Sequence, residues 1–105
     1  MTYDELLLQC LQEECAELIK AASKIQRFGP RDYYPGREHE GSNKDKFITE
    51  SHDLLAVLHM ISERHELGIG EGNRAEVAIK EKQKRVLHYA EYSKRAGTLH
   101  GPIPR

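Results

Sequence analysis

The sequence predicts an all-α fold, a bundle of about three long helices per chain completed to a four-helix-type bundle by oligomerisation. Three observations predict it. Apolar residues recur at alternating spacings of three and four, the period of a helix with one buried face. No stretch of any length shows the every-second-residue alternation of a half-buried strand. Glycine and proline gather between the periodic segments, where turns are expected. At 105 residues the chain has the length of one domain. That domain is expected over residues 1–96, with a long loop at 28–42 and an extended tail over 97–105.

The first helix is expected from about Thr2 to Arg27. Thr2 is a good N-cap, and Asp4 and Glu5 suit the positive end of the helix dipole. Leu7, Leu11, Leu18, Ala21, Ile25 and Phe28 form its apolar stripe, and Gly29-Pro30 ends it. The loop that follows carries Tyr33 and Tyr34 and is long for a connection in a compact domain, which points to a functional or mobile segment. The second helix is expected from a cap at Asn43 to about Glu66, with Phe47, Leu54, Val57 and Ile61 on its stripe. Gly68, Gly70 and Gly72 mark the next turn. The third helix is expected from about Asn73 to Arg95, with Val77, Ile79, Val86, Leu87, Tyr89 and Ala90 as its apolar positions, and Gly97 stops it. The tail is expected to be poorly tied down.

Hydrophobic residues make up 38% and charged residues 31% of the chain, and the net charge is −1. That balance argues against a nucleic-acid binder, which carries a basic surplus. No run approaches the roughly 20 apolar residues of a membrane span. The acidic start, Met1-Thr2-Tyr3-Asp4-Glu5, lacks the basic region of a signal peptide. Cys10 and Cys15 would point about 140° apart on a helix and should not pair. A cytoplasmic protein is expected.

The near-neutral total hides a polarity. Residues 1–23 hold five acids and one base, whereas residues 74–95 hold seven bases and three acids. Either the first segment holds cations and the last holds anions, or two oppositely charged helices lie side by side.

Heptad positions sharpen the choice. With Leu11, Leu18 and Ile25 at a, the d positions of the first helix are Leu7, Glu14, Ala21 and Phe28. With Phe47, Leu54 and Ile61 at a, those of the second are Glu50, Val57 and Arg64. Glu14 and Glu50 thus stand where hydrophobic residues belong. Each has a second acid three residues on, Glu17 and Asp53, on the same side of its helix. Partly buried carboxylates brought together repel and need compensation. Hard cations with oxygen ligands, Mg²⁺ or Mn²⁺, supply it. The alternative is that the acids lie at the stripe's edge and pair with Lys or Arg. A di-iron carboxylate bundle would need Glu-x-x-His on two helices, and no Glu here has a His three residues later. Zinc is disfavoured because neither cysteine stands at ligand spacing with a histidine.

These residues resemble a family. Glu13-Glu14-Cys15-Ala16-Glu17 with Glu50-Ser51-His52-Asp53 is similar to the E-E-x-x-E … E-x-x-D signature of the all-α nucleoside triphosphate pyrophosphohydrolases, the MazG-like group. The likeness extends through residues 14–24, the run Asp53-Leu54-Leu55-Ala56-Val57 and the basic third segment, about residues 5–95 in all. Thr49 departs from the pattern, since the family often has a Glu there, and the 31 residues between Glu17 and Thr49 are a long separation.

The resemblance implies Mg²⁺-dependent hydrolysis of an NTP or dNTP to the monophosphate and pyrophosphate, with Mn²⁺ as a possible substitute. It implies Glu14, Glu17, Glu50 and Asp53 as metal ligands and catalytic residues. Lys24, Lys82 and Arg85 are the candidates for substrate binding. Broad apolar stripes, and the family's paired chains, point to a homodimer or homotetramer. The competing function is a non-catalytic helical oligomerisation or regulatory module, in which the acids only solubilise.

Overall fold

A computed structural model describes residues 1–104. The described residues form three α-helices and no strand: α1 (Tyr3–Phe28), α2 (Asn43–Arg64) and α3 (Gly72–Arg95). One 3-10 turn, Glu38–Glu40, lies in the loop between α1 and α2. The all-α expectation holds. Among the described residues no helix is long and apolar enough to cross a membrane. The chain divides into two compact units, Met1–Leu67 and Gly68–Arg105.

The first unit is an antiparallel helical hairpin. At one end Asp4 of α1 receives the Arg64 guanidinium Nε–H, and His65 Nε2 lies 3.1 Å from the same Asp4 oxygen. At the other end the Asn43 side-chain amide donates to the Gly29 carbonyl at 3.0 Å. Between these ends the heptad positions face inward. Leu7, Ala21 and Ile61 are buried, and Leu11, Leu18, Ile25, Phe47, Leu54 and Val57 are half-buried. This seam holds the unit together, because burying apolar area is the main favourable term in folding.

α1 begins with the expected cap. The Thr2 hydroxyl accepts from Glu5 N–H at 3.1 Å, and the Glu5 carboxylate accepts from Thr2 N–H at 3.2 Å. Gly29, at φ 90°, ends the helix. Phe28 does not join the stripe as expected. It is 55% exposed at the last position of the helix, beside the loop rather than in the seam.

α2 differs at both ends from the expectation. Its N-cap is Ser42, not Asn43. The Ser42 hydroxyl accepts from Asp45 N–H at 3.2 Å, and the Asp45 carboxylate takes the Ser42 N–H at 3.1 Å. Donation to the carboxylate from the Ser42 backbone N–H, and from the Ser42 hydroxyl at 3.0 Å, holds the Asp45 carboxyl below its ordinary value. Asn43 is instead buried in the first turn and anchors the loop. Besides the bond to Gly29, its backbone N–H donates to the Asp32 carbonyl at 2.8 Å, and Lys44 N–H donates to the Pro30 carbonyl at 2.9 Å. The helix stops at Arg64 rather than Glu66, because Glu66 turns to φ 53°. Asn43→Ala should destabilise the chain by about 1–3 kcal/mol, the usual range when a buried hydrogen-bonding partner is lost. Urea unfolding measures this, and an unchanged midpoint would deny the anchor.

The second unit is α3 with its flanking turns. Its apolar positions are exposed: Val77, Ile79, Val86, Leu87 and Tyr89 all lie open. Two of its lysines are paired along the helix, Lys80 with Glu76 at 3.1 Å and Lys84 with Glu81 at 3.4 Å. The start of the tail is tied to the helix end. Thr98 and Leu99 N–H groups donate to the Ser93 carbonyl at 3.0 and 3.2 Å, and the Lys94 ammonium donates to the Gly101 carbonyl. Arg105, the last residue of the expected tail, lies outside the described residues.

Candidate metal centre

The two seams carry their acids to one place. Glu14 at a d position of α1 meets Glu50 at a d position of α2, and Asp53 follows Glu50 by one turn. One ligand oxygen from each of the three lies within 4.8 Å of the others. Glu14 and Glu50 are half-buried and Asp53 is exposed. The helical repeat thus brings together carboxylates that are 36 and 39 residues apart in sequence.

The electrostatics follow from this geometry. The Glu14 carboxyl is raised above its ordinary value of 4.5. Partial burial is the largest cause, followed by the negative charges of Asp53, Glu50, Glu17 and Glu13. Among the described residues no Lys, Arg or His forms an ion pair with Glu14, Glu50 or Asp53. The alternative in which these acids simply pair with bases does not describe the three.

It does describe Glu17. That carboxylate is exposed and lies 3.9 Å from the Lys20 ammonium, outside the triad. Glu17 still contributes to the negative field on Glu14, and it lines a surface cleft together with Glu50, Lys24 and Lys46. Lys24 is therefore on the acidic cleft, as one of the expected substrate residues. Lys82 and Arg85 lie exposed on α3 in the second unit, and neither pairs with a carboxylate among the described residues.

Lys46 was not singled out by the sequence reading. It stands one helical turn before Glu50, on the same side of α2, and it is half-buried with its ammonium 3.4 Å from Glu40. The i−4 spacing to a seam carboxylate was the available signal.

Three carboxylate oxygen donors suit a hard divalent cation such as Mg²⁺ or Mn²⁺. No thiol or imidazole belongs to the group, so the donor set does not suit zinc. Acidic groups as exposed as these also gather where no ion binds, so the donor set alone does not name a metal. Comparison with family models, curated proteins and solved structures gives no match to the chain.

Proposed function

We propose that the chain is a metal-dependent nucleoside triphosphate pyrophosphohydrolase that cleaves an NTP or dNTP to the monophosphate and pyrophosphate. One observation carries the reading. Glu14, Glu50 and Asp53 converge across the helix pair, and among the described residues none of the three forms an ion pair with a cationic side chain. The four-acid signature, with Glu17 as the fourth carboxylate, supports it. Mg²⁺ bound there would supply charge screening for the phosphates and acidify a bound water.

The chain's own residues would do the rest. Glu14, Glu50 and Asp53 would hold the ion. The Glu14 carboxylate, whose charge is opposed by burial and by the neighbouring acids, would be relieved by the ion's positive charge. Lys24 would meet phosphate oxygens from the cleft it shares with Glu17 and Glu50. Lys82 and Arg85 are proposed as substrate residues on the resemblance of the basic third segment alone.

We also place the active form in a homodimer or homotetramer. Ile19 on α1, Leu55 on α2 and Val86 on α3 are 69%, 59% and 54% exposed, apolar surface that a second copy of the chain would cover. The free thiols of Cys10 and Cys15 fit a cytosolic setting. The same exposed apolar faces are what favour the second reading, a helical oligomerisation module without catalysis.

Incubation with the eight common nucleotides and Mg²⁺, with pyrophosphate measured, separates the two readings. The enzyme releases pyrophosphate from at least one nucleotide, and EDTA stops it. A chain that sediments as an oligomer and releases none from any nucleotide is the module. Sedimentation of a stable, active monomer at micromolar concentration would refute the oligomer.

A further inference from the structure

The first unit holds one concave feature that the metal reading does not use. A cavity of about 350 Å³ opens where the loop after α1 meets the start of α2. This is within the roughly 300–1,000 Å³ of small-molecule sites. Phe28, Tyr33 and Tyr34 supply aromatic walls, and Asp32, Lys24 and Lys46 supply its charged groups. The exposure of Phe28, unexplained by helix packing, makes sense as part of this wall.

The cavity is held in place by the backbone. Asp32 and Pro30 carbonyls accept from the first two residues of α2, and Arg37 N–H closes a turn onto the Tyr34 carbonyl at 2.9 Å. The Arg37 guanidinium lies 5.2 Å from the Tyr34 ring centroid and props that ring.

Lys24 and Lys46 line both this cavity and the acidic cleft of Glu17 and Glu50. The two spaces therefore meet at a pair of lysines, of which Lys46 also lies 3.4 Å from Glu40. Along one path they offer aromatic faces, then positive charge, then carboxylates able to hold a cation. A nucleotide has the matching order of flat base, phosphate and metal-bound phosphate. Aromatic walls stack a base of any kind, because every base has a π-face. Asp32 is different. Its side chain offers carboxylate oxygens as acceptors, and among the described residues no protein group donates to them. Cytosine, adenine and guanine each carry an exocyclic amino donor. Where cytosine carries its 4-amino group, uracil and thymine carry a carbonyl oxygen, which would face the carboxylate lone pair to lone pair, and their one remaining edge donor is the ring N3–H.

We infer that this cavity is the base subsite of the proposed nucleotide site, and that Asp32 meets the 4-amino group of cytosine and so selects cytosine over uracil and thymine. The inference rests on the proposed function for its phosphate end. The base end can be tested without metal or turnover.

CMP and UMP differ at the 4-position of the ring, amino against carbonyl, and at N3, acceptor against N–H donor. Each is titrated into the full chain in EDTA, and binding is followed through the amide NMR signals of residues 28–35 and 43–46. CMP should bind about tenfold more tightly than UMP, the scale of one hydrogen bond to a charged group. Asp32→Asn should bring the two within about twofold. Tyr33→Ala with Tyr34→Ala should weaken both by roughly tenfold while keeping the ratio. Equal affinities in the parent chain, no binding at millimolar nucleotide, or a preference that survives Asp32→Asn would overturn the subsite. A chain that prefers CMP in EDTA but releases no pyrophosphate from any triphosphate would keep the subsite and lose the hydrolase. One that releases pyrophosphate equally from cytosine and uracil nucleotides would do the reverse.

Discussion

Glu50→Gln and Asp53→Asn should each reduce pyrophosphate release by more than about 100-fold while leaving helical circular dichroism unchanged. Outer-shell partners of metal sites cost 10–100-fold when lost, and a ligand costs more. Asp53 is exposed and Glu50 half-buried, and each amide keeps the side chain's size, so the substitutions remove charge and not volume. Glu17→Gln is the informative contrast. The four-acid signature gives it equal weight, whereas the structure pairs it with Lys20 at 3.9 Å and leaves it outside the triad. A fall as large as that of Asp53→Asn returns Glu17 to the ligand set. A fall of less than tenfold leaves three ligands. Substantial activity in all three variants, over a range of metal concentrations, would remove the metal site.

Glu14→Gln should behave differently from a core mutation in the metal-free chain. Its carboxyl titrates above the ordinary 4.5, because burial and neighbouring acids oppose its charge. The stability it contributes is therefore greatest below 4.5 and is lost as pH rises through the raised value. At pH 7 the charged group works against folding. Glu14→Gln should raise the Tm in EDTA at pH 7, and should change it little at a pH below 4.5. Added Mg²⁺ or Mn²⁺ should raise the Tm of the parent and not of the variant, since only a native-state ligand set can bind it. A lower Tm for Glu14→Gln at pH 7 would contradict the repulsion argument.

The largest effect on stability should come from the seam. Leu7→Ala or Ile61→Ala should cost about 2–5 kcal/mol, the range for truncating a buried aliphatic residue. Few residues share this burial: Leu7, Ala21 and Ile61 are the buried hydrophobic residues of the described chain. Domains of this size are stable by only about 5–15 kcal/mol in total. Either change should therefore lower the urea midpoint steeply or leave the chain unfolded at 25 °C. Leu55→Ala, on an exposed face, should cost much less in the isolated chain. Similar losses for Leu55 and Leu7 would mean that Leu55 is covered in solution, as the oligomer requires. A negligible loss for Leu7 would contradict the seam itself.

Much of this hairpin was legible because its logic is local. The 3–4 spacing named the inward positions of α1 and α2, and the same wheel put Glu14 and Glu50 among them. Thr2 was readable as a cap from its own turn. Ser42 was equally readable, since Asp45 stands three residues on. Asn43 was preferred only because Asn is also a good cap, and its neighbour won the backbone geometry. The anchoring bonds from Asn43 to Gly29 and Asp32 were not legible, because they join residues 14 and 11 positions apart across a loop. The wheel also separates a d position from the next g position by about 60°, and it does not say how far around the partner helix reaches. Asp53 falls within that reach and Glu17 does not. The cavity at Tyr33 and Tyr34 was visible in sequence only as an overlong loop.

Paramagnetic relaxation by Mn²⁺ tests the metal centre most directly. Substoichiometric Mn²⁺ is added to the ¹⁵N-labelled chain, and the loss of each amide signal is recorded. The account predicts that signals around residues 14, 50 and 53 vanish first, that excess Mg²⁺ restores them, and that Asp53→Asn abolishes the effect. Broadening centred elsewhere, or none at these residues, would contradict it.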